Sequence, residues 1–279
     1  MTRRLLVFCA AFALVTACKK DDATQPPDEG ATTAGEAGDT GEAGDTGEAA
    51  EPGVPQEPDP PEIAEARVKV IAADYEGAAT TLEPIWKDLR DREQYRASGL
   101  AAAWYALAIV NDIAENAREP AEYAVSMAEK TGDPEVVAAA NIAIGSYDLG
   151  VERYDEAMAA LEKAFEADRA GQDAALAMIV YSEVRISNAF GGTDQITKPE
   201  ELDAAATALG KAQKIAEEQG QDVLLGRALV NLGAVARYKG NDKRACEMVA
   251  KGMEKYESGG AGEWLTSGAQ ALKDAALCK

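Results

Sequence analysis

The chain has 279 residues, a formal charge of −21 and no histidine. That charge argues against a nucleic-acid partner, because phosphate binding is driven by Lys and Arg replacing counterions, and it makes any polyelectrolyte partner a basic one. Lacking histidine, the chain lacks the commonest general base and the commonest zinc ligand; abundant alanine and only 6% aromatic residues favour an all-α fold of closely packed helices.

At the start, Arg3 and Arg4 precede an apolar run from Leu5 to Val15. It is too short to span a bilayer as a mature helix but has the length of a signal-peptide core. The run ends in Leu14-Val15-Thr16-Ala17-Cys18 and turns polar at once with Lys19, Lys20, Asp21 and Asp22. This order resembles the bacterial lipobox, in which small residues precede an invariant cysteine. The resemblance implies that residues 1–17 are a lipoprotein signal peptide, that Cys18 is lipidated, and that the protein is held at the cell envelope by its acyl chains. Two or three chains exceed the single-chain threshold for stable anchoring, at about 0.8 kcal/mol per buried methylene. By the same resemblance, the absence of Asp after Cys18 points to the outer membrane, with the domain facing the periplasm or the cell surface. An ordinary signal peptide with a chance cysteine is the alternative.

Residues 18–61 show no apolar periodicity. Gly35-Glu36-Ala37-Gly38-Asp39-Thr40 repeats as Gly41 to Thr46 and begins again at Gly47, before a proline-rich piece ending at Pro60-Pro61. Between Lys19 and Pro61 there are twelve acidic residues against two lysines. Such a segment buries too little apolar surface to offset chain entropy, so a disordered, self-repelling spacer is expected.

From 62 to 279 helical patterns come in pairs. The first runs from Ile63 to Ala73, followed by a second helix carrying Tyr75, Ala78, Leu82 and Ile85. Gln94 to Asn111 pairs with Pro120 to Lys130. In the third pair Asp133 caps a helix with Pro134 at its first position, and Tyr154 to Phe165 follows. Gln172 to Asn188 pairs with Pro199 to Glu218 across a longer loop, Phe190 to Lys198. In the fifth pair, from Asp222, Leu229, Leu232-Gly233 and Ala236 lead to a turn at Gly240, then Ala245, Val249 and Gly252. Large-then-small residues, a turn glycine and small residues at these offsets resemble the tetratricopeptide repeat (TPR) of 34 residues; Ala236 departs from the usual aromatic, and no proline closes the unit. The resemblance implies a right-handed α-solenoid of about five TPR-like hairpins, with a capping helix supplied by Glu263 to Leu277.

Cys9 falls in the signal segment and Cys18 at the lipidation site, leaving Cys246 and Cys278. In an oxidising envelope this pair is a disulfide candidate, since the start of one antiparallel helix lies beside the end of the next. Two buried thiols are the other reading.

No phosphate-cradling glycine motif and no nucleophile elbow occurs in the domain. Carboxylates such as Glu200-Glu201 and Glu217-Glu218 read as solvated helix faces. Neither catalytic residues, a metal site nor a small-molecule cofactor is expected. A TPR resemblance implies instead a concave groove that takes a protein or peptide. On it fall Arg227, Asn231, Arg237 and Tyr238, with Tyr181 and Arg185 extending it from the preceding pair; Arg and Asn suit a carboxylate or an extended backbone. The expected function is a membrane-anchored protein-interaction scaffold. A ligand-free envelope spacer or oligomer component, and a carboxylate-based envelope hydrolase, are the alternatives.

Overall fold

The computed structural model describes residues 56–279 apart from 170, 172 and 279. The expected signal peptide, Cys18 and the acidic segment up to residue 55 lie outside the described residues. Within them the chain is all-helical, with adjacent helices packed in sequence order. The helices are α1 (Pro61–Ile71), α2 (Tyr75–Asp91), α3 (Tyr95–Ile109), α4 (Arg118–Thr131), α5 (Pro134–Gly150), α6 (Tyr154–Ala167), α7 (Ala174–Phe190), α8 (Pro199–Gln219), α9 (Asp222–Tyr238), α10 (Asp242–Gly259) and α11 (Glu263–Ala275), with one 3-10 turn at Ala114–Ala117.

Local chemistry sets the boundaries. The Asp133 carboxylate accepts the Glu135 and Val136 amides at 2.9 and 3.2 Å, so the expected cap forms ahead of Pro134. The side chains of Asp74 and Asn241 cap α2 and α10 in the same way. Three of the short intra-pair turns place their middle residue in the left-handed region: Ala73 (φ 64°), Glu152 (φ 64°) and Gly240 (φ 74°). Only the last is a glycine.

Two kinds of helix alternate. The second members α2, α4, α6, α8 and α10 bury one stripe and expose the other face. The first members α3, α5, α7 and α9 are buried on most sides, whereas α1 buries only Ile63, Ala66 and Val70; 13 of the 17 residues of α9 are buried, which an amphipathic surface helix could not achieve. They form an inner layer in which α3 touches α5, α5 touches α7 and α7 touches α9.

Small residues let the paired helices approach. A methyl placed on Gly233 of α9 would meet Val249 Cγ2 at 2.7 Å and the Ala245 carbonyl at 3.1 Å. On Gly145 of α5 it would meet Leu161 Cγ at 2.8 Å and the Ala157 carbonyl at 3.2 Å. The sequence offsets, twelve and sixteen, are the same in both pairs, so α5–α6 and α9–α10 use one packing register.

The first pair also touches the last. Gly262, in the α10–α11 turn, donates its amide to the Ala72 carbonyl in the α1–α2 turn at 2.7 Å. Tyr75 packs edge-on against Trp264, with 5.6 Å between ring centroids. Ala73 joins Val223, Tyr256 and Leu265 in a shared apolar cluster. Arg67 of α1 reaches the buried Asp173 at the start of α7 at 2.6 Å and covers the Trp104 ring of α3.

One boundary differs from expectation. The last residues of the expected linker are fastened to the α2–α3 turn: Glu57 donates its amide to Gln94, Tyr95 donates its amide to Gln56 at 2.8 Å, and Glu57 and Asp59 pair with Arg92 and Arg96. Acidic side chains that were expected to be solvated find arginines here. Cys246 and Cys278 are joined as a disulfide with 5.5 Å between their Cα atoms, clamping the start of α10 to the segment after α11.

Candidate functional site

The six residues expected to line one groove fall in separate places. Arg227 is 7% exposed. Its Nε and terminal nitrogen contact the Glu183 carboxylate of α7 at 2.9 to 3.0 Å, and Asn231 Nδ2 adds a third donor at 3.0 Å. Burial alone would lower the Arg227 pKa, but the Glu183 charge beside it outweighs that and holds it raised. Tyr75 and Tyr256 surround this pair, and the pKa of each is pushed up by burial. Arg227 and Asn231, expected on the face of a groove, have these donors engaged by a carboxylate of the chain itself. Further along α9, Arg237 is half-buried, and Tyr238 stacks edge-on against Phe190 at 5.1 Å.

Tyr181 and Arg185 face the other way. Glu183 lies two positions beyond Tyr181 on the helix, a rotation of about 200°, so when Glu183 turns to α9, Tyr181 turns to the gap between α6 and α8. Its hydroxyl donates to Glu162 of α6 at 3.0 Å. Arg185 donates to the same hydroxyl and, at 2.8 Å, to Glu201 of α8. Asn188 also donates to Glu201 and accepts from Lys198 at 2.8 Å, which ties down the start of α8. The Tyr181 pKa is raised by burial, and the bonds to Glu201 and Tyr181 keep that of Arg185 raised although burial opposes it.

Above Tyr181 lies a surface cleft of about 320 Å³ between α6, α7 and α8. Glu162, Phe165 and Glu166 form one wall and Ala204, Thr207, Ala208 and Lys211 the other, with Met178 and Tyr181 as its floor. The alanines of α8 leave the space that bulkier residues would fill. Small-molecule pockets run from about 300 to 1,000 Å³, so this cleft lies at the small end of that range, with room for one or two side chains. Lys211 Nζ lies over the Phe165 ring, 5.9 Å from its centroid, and pairs with no carboxylate among the described residues.

Chemically the cleft offers two carboxylates, an aromatic face, a phenol and an ammonium group, all near solvent. That set can hold a charged or aromatic side chain. Among the described residues no three acidic or cysteine side chains stand close enough to ligate a metal ion.

Glu183, Glu162, Phe165 and Lys211 were not singled out from the sequence. Glu183 did carry a signal, as the lone carboxylate within α7, AALAMIVYSEVRISNAF. The other three looked like ordinary faces of amphipathic helices, and only the spacing of α6 and α8 reveals them as neighbours. No protein-family model matches the chain, and no similar curated protein was found.

Proposed function

We propose that this chain is a lipid-anchored adaptor of the bacterial cell envelope. Its helical domain is a right-handed α-solenoid of about five TPR-like hairpins capped by α11, and it docks a protein partner without catalysing a reaction. The anchor rests on the lipobox-like ending at Cys18, and outer-membrane placement rests on the residues after it. Among the described residues, no helix is long and apolar enough to cross a membrane.

The docking site is the cleft over Tyr181. The observation that carries this assignment is the convergence there of aromatic and charged side chains from three helices at the surface, while Arg227 and Asn231 are engaged inside by Glu183. A rim of polar groups around an aromatic floor is the chemistry of a protein-recognition pocket.

The test is site-specific photo-crosslinking in intact envelopes. A photoreactive residue replaces the exposed Thr207 at the lip of the cleft, and another replaces the remote exposed Lys251 of α10. A discrete protein adduct from position 207, absent from 251 and lost with Tyr181→Ala, supports the reading. Adducts identical at both positions, or none at 207, overturn it and favour a ligand-free spacer.

A further inference from the structure

We propose that the occupant of the α6–α7–α8 cleft is a basic side chain, an arginine or lysine of the partner, and that Lys211 occupies its place until the partner arrives. The proposal deepens the docking reading and rests on it.

Three observations point the same way. The cleft presents two carboxylates, Glu162 and Glu166, against one ammonium group. Glu162 is oriented by the Tyr181 hydroxyl, and among the described residues the ion pair of Glu166 is a long one of 3.8 Å to the exposed Arg169. Both keep lone pairs for a further donor. The Phe165 ring supplies the negative face that attracts cations, and the cation now over it belongs to the chain itself.

Lys211 explains how the cleft stays soluble while unoccupied. Its ammonium sits on the ring at 5.9 Å with no carboxylate partner among the described residues, so swinging it out to water breaks no salt bridge there. An incoming guanidinium would take the ring face and add hydrogen bonds to Glu162 and Glu166, which a point charge on the α8 side does not make. Planar guanidinium groups both stack on rings and pair with carboxylates. The chain's formal charge of −21 favours a basic partner at long range as well.

The test uses the full chain with its methionine methyls isotopically labelled, since Met178 lies in the cleft floor. The probe is a capped pentapeptide, Ser-Gly-Arg-Gly-Ser, titrated by NMR at about 0.15 M salt, where the screening length is about 8 Å and loose attraction is damped. Peptides with glutamate or norleucine in place of arginine serve as comparisons. The arginine peptide should shift the Met178 methyl and saturate, and the other two should not. Glu162→Gln with Glu166→Gln should weaken it about tenfold. Lys211→Ala should tighten it about threefold, while Lys214→Ala, one turn along the same helix, should leave it unchanged.

An unchanged or weaker affinity in Lys211→Ala, or saturation by the glutamate peptide, overturns the proposal. If the position-207 crosslink stands while the arginine peptide fails, only the chemistry of the occupant is wrong. If the crosslink fails too, the docking site falls with it.

Discussion

The guanidinium of Arg227 on α9 and the carboxylate of Glu183 on α7 meet side by side, with three contacts of 2.9 to 3.0 Å inside the helical array. Their side chains are 9% and 16% exposed. Removing one member of such a pair strands the other charge in a poorly solvated place, whereas removing both does not.

Glu183→Ala is therefore expected to cost about 3 to 5 kcal/mol. The double variant Glu183→Leu with Arg227→Met should recover most of that loss. Urea unfolding of the two variants and the parent checks it. A single-site loss below about 1 kcal/mol would mean that water reaches Arg227.

Glu152 tests the turn geometry. It holds φ 64° where the corresponding turn of the last pair has Gly240 at 74°. A left-handed conformation costs an ordinary residue about 1 to 2 kcal/mol, partly offset in glycine by greater freedom of the unfolded chain. Glu152→Gly is expected to raise stability by about 0.5 to 1 kcal/mol, measured as a higher midpoint in urea. Gly240→Ala should do the opposite.

The disulfide encloses a segment with a sequence separation of 32. Closing a loop of that size restricts the unfolded chain by about 3.7 kcal/mol. Cys246→Ser with Cys278→Ser should lower stability by that order, and limited proteolysis should then cut first in the segment after α11, which the disulfide holds to α10.

Alkali should destabilise the protein. Burial pushes the Tyr238 hydroxyl from 10.0 up to about 12 and raises that of Tyr256. A folded-state pKa above the unfolded value means that the folded chain holds these protons more tightly. The stability so conferred is complete below pH 10 and declines as pH climbs towards 12. Two units at Tyr238 correspond to about 3 kcal/mol at most. Tyr238→Phe should flatten the fall in stability across that interval, followed by circular dichroism in urea at a series of pH values. An equal slope in parent and variant would reject the assignment.

Much of the helical framework was legible because it is local. Asp133-Pro134 is a cap followed by a residue suited to the first helical position, and the helix begins there. The same holds for close packing at Gly233, Ala245 and Gly252, where small residues at fixed offsets have one geometric use. The site was less legible. Tyr181 and Arg185 were placed in one groove with Arg227 because both sit on first helices, but that register does not say which side of α7 turns towards α9. Glu183 decides it, through a partner 44 positions away. The meeting of Ala72 with Gly262 had no periodic signature, since a backbone donor and acceptor leave nothing in side-chain pattern. Residues 56–59 read as more of the same acidic tract, and only the position of Arg92 and Arg96 makes them part of the helical unit.

The contact between the two outermost turns changes how the molecule should respond to damage. In an open stack each unit depends on its immediate neighbours, and loosening stays local. Here the bond from Gly262 to Ala72 and the packing of Trp264 on Tyr75 tie the opening pair to the closing one. Clipping either terminus withdraws support from the opposite end, so trimmed forms should come apart together rather than shorten gracefully.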